Sequence, residues 1–89
     1  MIKIICKFFV ENTIMKIKLI WDFKGSNDLQ VAVHYTKHIN EFMKEKNIPF
    51  FEMGEASLSE FHQVAYVVVK KEDVNTVRDA LMPHRAFVL

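Results

Sequence analysis

The chain has 89 residues, of which 51% are hydrophobic and 26% are charged, and its formal net charge is +1. This balance is typical of one small globular domain and excludes a fibrous or largely disordered chain. The near-zero net charge provides no general attraction for polyphosphates, so we predict no nucleic-acid binding.

The first 14 residues, MIKIICKFFVENTI, are predicted to be an extension of the folded domain at residues 15–89. They have no counterpart in the element order that follows, so we interpret them as an edge strand, a mobile arm or the product of an upstream start site. They contain Cys6, the one cysteine of the chain, which excludes an intrachain disulfide and favours a reducing, cytoplasmic location. No apolar run reaches the roughly 20 residues that a membrane span requires, so we predict no membrane association.

Residues 16–24 are predicted to form the first strand, because their apolar side chains recur at every second position. One face carries Ile17, Leu19, Trp21 and Phe23, and the other carries Lys18, Ile20 and Asp22. We expect the first of these faces to meet the helices.

A helix is predicted next, from an N-cap at Asn27 to about Lys46, with Asn47 and Pro49 as its stop signals. Its apolar stripe at helical spacing consists of Ala32, Tyr35, Ile39, Phe42 and Met43. The remaining elements are predicted to be strands near residues 50–57, 62–70 and 85–89 and a second helix from Glu72 to about residue 81. The third strand is rich in β-branched residues, which indicates a central position in the sheet.

From Met15 onward the order is β-α-β-β-α-β, which resembles the ferredoxin-like fold over about residues 15–89. The resemblance implies an α+β domain with a four-stranded antiparallel sheet in the order 4-1-3-2 and two helices on one face. The pattern is also similar to that of dimeric α+β barrel and ACT-like regulatory domains, which implies a homodimer through the open sheet face and a small-molecule ligand. That face is expected to carry Ile20 with either Val64, Tyr66 and Val68 or Ala65, Val67 and Val69, an apolar surface that a monomer would leave in water.

His34 and His38 are four residues apart in the first helix, the spacing at which a helix presents two imidazoles to one metal ion. Helix phase turns both away from the apolar stripe, so they are either a solvated surface or part of a site for zinc or another transition metal. Such a site needs a third ligand, and His62, His84 or a partner chain could supply it. Apart from this metal, no cofactor is expected.

A candidate ligand site lies in MPHRAFVL, residues 82–89, where His84 and Arg85 precede the last strand and could bind a carboxylate or phosphate. The element order brings His62 and Asp22 to the same end of the sheet. Trp21 is a further candidate, as a core residue or as the lining of an aromatic pocket. No catalytic residue can be assigned, so we expect a ligand-binding or regulatory module, with a metal-binding protein and a small cofactor-independent enzyme as alternatives.

Overall fold

The computed structural model describes residues 15–25 and 28–89. The predictions for residues 1–14 and for the cap at Asn27 lie outside these ranges. The elements in chain order are β1 (Lys16–Lys24), α1 (Gln30–Lys46), β2 (Glu52–Ser59), β3 (His62–Lys70), α2 (Lys71–Leu81) and β4 (Arg85–Val88). The protein is therefore α+β, with four strands and two helices in the described part of the chain, and neither helix there is long and apolar enough to span a membrane.

The four strands form one antiparallel sheet in the order β2-β3-β1-β4, which reads 4-1-3-2 from the β4 edge. The two long central strands pair along their whole length, from Lys16 opposite Lys70 to Lys24 opposite His62. On the other side of β1, Ile20 is opposite Arg85. Because both pairings are antiparallel, β3 and β4 start beside the second half of β1, at Lys24 and at Ile20, and directly opposed residues share a face of the sheet.

The hydrophobic core lies between the helices and one face of the sheet. Its buried members are Ile17, Leu19, Trp21, Ala32, Ile39, Met43, Ala65, Val67, Val69 and Val77. Residues of both helices pack against the odd-numbered positions of β1 and β3. For β1, this is the face that the period of two in the sequence predicted to meet the helices. The register also decides the composition of the open face, because Ile20 is opposite Tyr66 and thus lies with Val64 and Val68.

The starts of α1 and β2 differ from the sequence prediction. Helix α1 begins at Gln30, whose N–H donates to the side chain of Asp28 at 2.9 Å. Strand β2 begins at Glu52, two residues later than predicted; Phe50 and Phe51 are 41% and 49% exposed, and the N–H of Phe51 already donates to the carbonyl of Val68 in β3 at 2.8 Å. Aromatic residues favour strands, but these two lie outside the element that they suggest.

Candidate functional site

The carboxylate of Asp22 is the centre of a polar cluster at the end of the open sheet face. Its Oδ1 is 2.6 Å from Nε2 of His62, and the guanidinium of Arg85 donates to both oxygens, from Nη2 at 2.8 Å and from Nε at 2.9 Å. The backbone N–H of Asp22 donates to Nδ1 of His84 at 2.7 Å. We call these four residues the Asp22 cluster.

Strand pairing explains why residues so distant in sequence meet here. Asp22 lies near the end of β1, His62 begins β3 and Arg85 begins β4. The strand β1 is between the other two, so its last side chains on the open face contact the first side chains of both neighbours. The backbone N–H of His84 also donates to the carbonyl of Ile20 at 2.9 Å, which places the His84 ring beside Asp22.

The two histidines have defined tautomers when they are neutral. Nε2 of His62 donates to Asp22, so the lone pair of this ring is on Nδ1. Nδ1 of His84 accepts from the Asp22 backbone, so Nε2 carries the ring hydrogen. Toward a ligand, Nδ1 of His62 can therefore accept a hydrogen bond, whereas Nε2 of His84 can donate one.

Asp22 carries a negative charge in this cluster. Its side chain is 11% exposed, and that of His62 is 22% exposed. Burial raises the pKa of the Asp22 carboxyl, but the hydrogen bonds from His62 and Arg85, together with the positive charge of Arg85, lower the pKa by more, and it lies below its ordinary value.

Arg85 presents one edge of its guanidinium to Asp22 and is otherwise partly open to solvent. Asp22 occupies the Nε and Nη2 edge, while the Arg85 side chain is 40% exposed. A guanidinium has a second edge, formed by its two terminal nitrogens, that can donate two parallel hydrogen bonds to an anion. Asp22, Lys24 and His84 line a shallow depression of about 300 Å³ at the same place.

Trp21 lies on the helix-covered face of the sheet, away from the Asp22 cluster. It is 2% exposed, its Nε1 donates to the carbonyl of Leu81 at 2.8 Å, and its ring lies 5.6 Å from that of Tyr35. Burial raises the pKa of the Tyr35 hydroxyl, which donates to the same carbonyl at 3.1 Å. These contacts are those of a core residue that satisfies the last carbonyl of α2.

The apolar residues of the open face are already buried in the single chain, contrary to expectation. Ile20, Val64 and Val68 are 7%, 4% and 2% exposed. Long side chains lie across this face: Nζ of Lys18 is 4.3 Å from the centre of the Tyr66 ring, and the Tyr66 hydroxyl donates to Glu52 at 3.0 Å. Phe87 lies on this face opposite Lys18, and 48% of its surface is exposed.

His34 and His38 lie on the exposed side of α1, as helix phase predicted. Their Nε2 atoms are 3.0 Å apart. Among residues 15–25 and 28–89, no three His, Cys, Asp or Glu side chains are grouped closely enough to hold a metal ion. His62 does not complete the pair within one chain, because it lies on the open face with Asp22 whereas α1 packs on the opposite face.

Sequence reasoning did not identify two features of the site. The first is that Lys24 lines the depression. Its position opposite His62 in the β1–β3 register is the signal that could have identified it as a site residue. The pairing of Arg85 with Asp22 was also missed, because it depends on the adjacency of β4 and β1. No protein-family model, curated protein or solved structure matches the chain.

Proposed function

We propose that the protein is a small ligand-binding or regulatory module that binds a small carboxylate or phosphate at the Asp22 cluster. The observation that supports this most directly is the convergence of Asp22, His62 and Arg85 from three strands, together with His84 from the turn before β4, at a partly exposed end of the sheet. Such convergence of polar groups beside a depression is a general feature of ligand sites.

The charge balance of the cluster favours an anion as ligand. Arg85 and Lys24 carry two positive charges against the one negative charge of Asp22, and protonation of either imidazole would add to the excess. The guanidinium edge that faces away from Asp22 supplies two donors, and Nε2 of neutral His84 supplies a third. The lone pair of His62 suits an additional hydroxyl or amino group on the ligand.

We further propose the ferredoxin-like assignment, in the manner of dimeric α+β barrel and ACT-like domains, and a cytoplasmic homodimer. The β-α-β-β-α-β order and the sheet order read from the β4 edge support the fold proposal. Phe87 supports the dimer, because an exposed aromatic side chain beside the cluster would be buried if two open faces packed together.

The ligand proposal is tested by amide NMR titration of the full chain with acetate, phosphate and a panel of amino and hydroxy acids. We expect saturable shifts at the ends of β1, β3 and β4, abolished in Arg85→Gln. The matched control is Arg78→Gln, because Arg78 is 58% exposed and lies 3.5 Å from its neighbour Asp79 on α2. Equal loss in both variants, or no saturable shift with any anion, would contradict the proposal.

The dimer proposal is tested separately by analytical ultracentrifugation. Phe87→Glu should shift the population to monomer, whereas Val31→Glu, an equally drastic change at a 40% exposed position of α1, should not. A monomeric wild-type protein at tens of micromolar, or dissociation by both variants, would refute the dimer and leave the ligand site to be judged by the titration alone.

A further inference from the structure

Two imidazole nitrogens face each other on the exposed side of α1, on a different layer from the Asp22 cluster. The Nε2 atoms of His34 and His38 are 3.0 Å apart, and the ring planes are inclined at 88°. For this contact to be a hydrogen bond, one nitrogen carries the hydrogen and the other the lone pair. A divalent metal ion that replaces that hydrogen would be bound by both lone pairs after a small rotation of the two exposed rings.

Glu41 lies beside one of these rings. Its Oε1 lies 3.5 Å from Nδ1 of His38, on the next turn of the helix. A carboxylate on Nδ1 favours the tautomer in which Nδ1 carries the hydrogen and Nε2 carries the lone pair, and it increases the basicity of the ligating nitrogen. The carboxylate therefore favours the tautomer of His38 that a metal requires.

The distance between the nitrogens is short enough for both to bind one metal ion. Two metal–nitrogen bonds of about 2.0–2.1 Å to atoms 3.0 Å apart enclose an angle of about 95° at the metal. A tetrahedral ion with the same bond lengths needs its nitrogens about 3.3–3.4 Å apart. A small rotation of the two exposed rings covers this difference, so both geometries fit, and the preferred metal follows from the general order of affinities.

We propose that His34 and His38 form a two-imidazole site for a divalent transition metal, with Cu²⁺ bound most tightly. Glu41 acts as a positioning residue, and water or a small ligand completes the coordination. The general order of divalent affinities at a nitrogen site ranks Cu²⁺ above Ni²⁺ and Zn²⁺.

The test is titration of the tag-free full chain with CuCl₂, NiCl₂ and ZnCl₂ by calorimetry, with Cys6→Ser in every sample to remove thiol chemistry. His34→Gln and His38→Gln should each weaken Cu²⁺ binding by at least about tenfold, because the second bond is intramolecular only when both rings are present. The Cu²⁺ electron paramagnetic resonance spectrum should show coupling to two imidazole nitrogens in the Cys6→Ser parent and in Glu41→Gln, and to fewer in the histidine variants.

A spacing variant separates chelation from the number of histidines. His38→Gln combined with Glu41→His keeps four histidines but sets two of them seven residues apart, about 10 Å along the helix, and should bind no better than His38→Gln. Unchanged Cu²⁺ affinity in His34→Gln and His38→Gln, tighter binding of Zn²⁺ than of Cu²⁺, or an equal loss in His62→Gln would overturn the proposal.

Discussion

Replacement of Asp22 by asparagine removes the charge that pairs with Arg85 of β4 and accepts from His62 of β3. The carboxylate accepts three hydrogen bonds, from His62 at 2.6 Å and from Arg85 at 2.8 and 2.9 Å. The side-chain amide of an asparagine has its own N–H donors, and these would face His62 or Arg85, which also donate. A hydrogen bond to a charged group contributes about 1.5–3 kcal/mol, but solvent screens Arg85, so we expect a loss of about 2 kcal/mol in the free energy of unfolding.

The assay is urea unfolding at pH 7, followed by the fluorescence of Trp21, the one tryptophan of the chain and 2% exposed in the fold. For a domain of this size, the same loss lowers Tm by about 10 °C. The matched control is Asp79→Asn, because Asp79 is 74% exposed and its 3.5 Å pair with Arg78 is local to α2. This control should change stability by less than about 0.5 kcal/mol.

The pH dependence gives a second measurement of the same interaction. The folded-state pKa of Asp22 lies below its ordinary value of 3.8. The stabilisation that the charged Asp22 contributes to the free energy of unfolding is therefore fully present above pH 3.8 and decreases as the pH falls through the folded-state pKa. The stability difference between wild type and Asp22→Asn should shrink on acidification, and a difference that stays constant to pH 2.5, or one no larger than that of Asp79→Asn at pH 7, would refute the reasoning.

Three further changes test the core and the helix ends by chemical denaturation followed by circular dichroism. Ile39→Ala should cost about 3 kcal/mol because this α1 side chain is 0% exposed, whereas Val31→Ala on the same helix should change stability by less than about 0.5 kcal/mol; similar values for both would contradict the assigned burial. Trp21→Phe should cost about 2 kcal/mol through lost packing and the lost hydrogen bond to Leu81, and a neutral result would show that this bond contributes nothing. Asn47→Ala should cost about 1 kcal/mol and Asn47→Gly should not, since φ at this cap is 57°; equal effects would exclude backbone strain as the cause.

Local patterns predicted most of the secondary structure. The period of two in residues 16–24 predicted β1 with its observed bounds, and Asn47 with Pro49 predicted the end of α1 at Lys46. The start of β2 was less predictable because Phe50 and Phe51 favour strands by type yet remain exposed before the sheet begins. Residue type indicates which conformation is favourable, whereas strand bounds depend on where a partner strand is available.

The sequence by itself determined which face of β1 would be buried, because alternation is a property of one strand, and it placed the two histidines on the exposed side of α1, because helical phase is a property of one helix. The contacts of Asp22 were decided by the tertiary structure alone. Arg85 reaches this carboxylate only because β4 pairs with β1 in one register, in which Ile20 is opposite Arg85. A shift of one residue would turn Arg85 to the opposite face, and no pattern within either strand specifies that register.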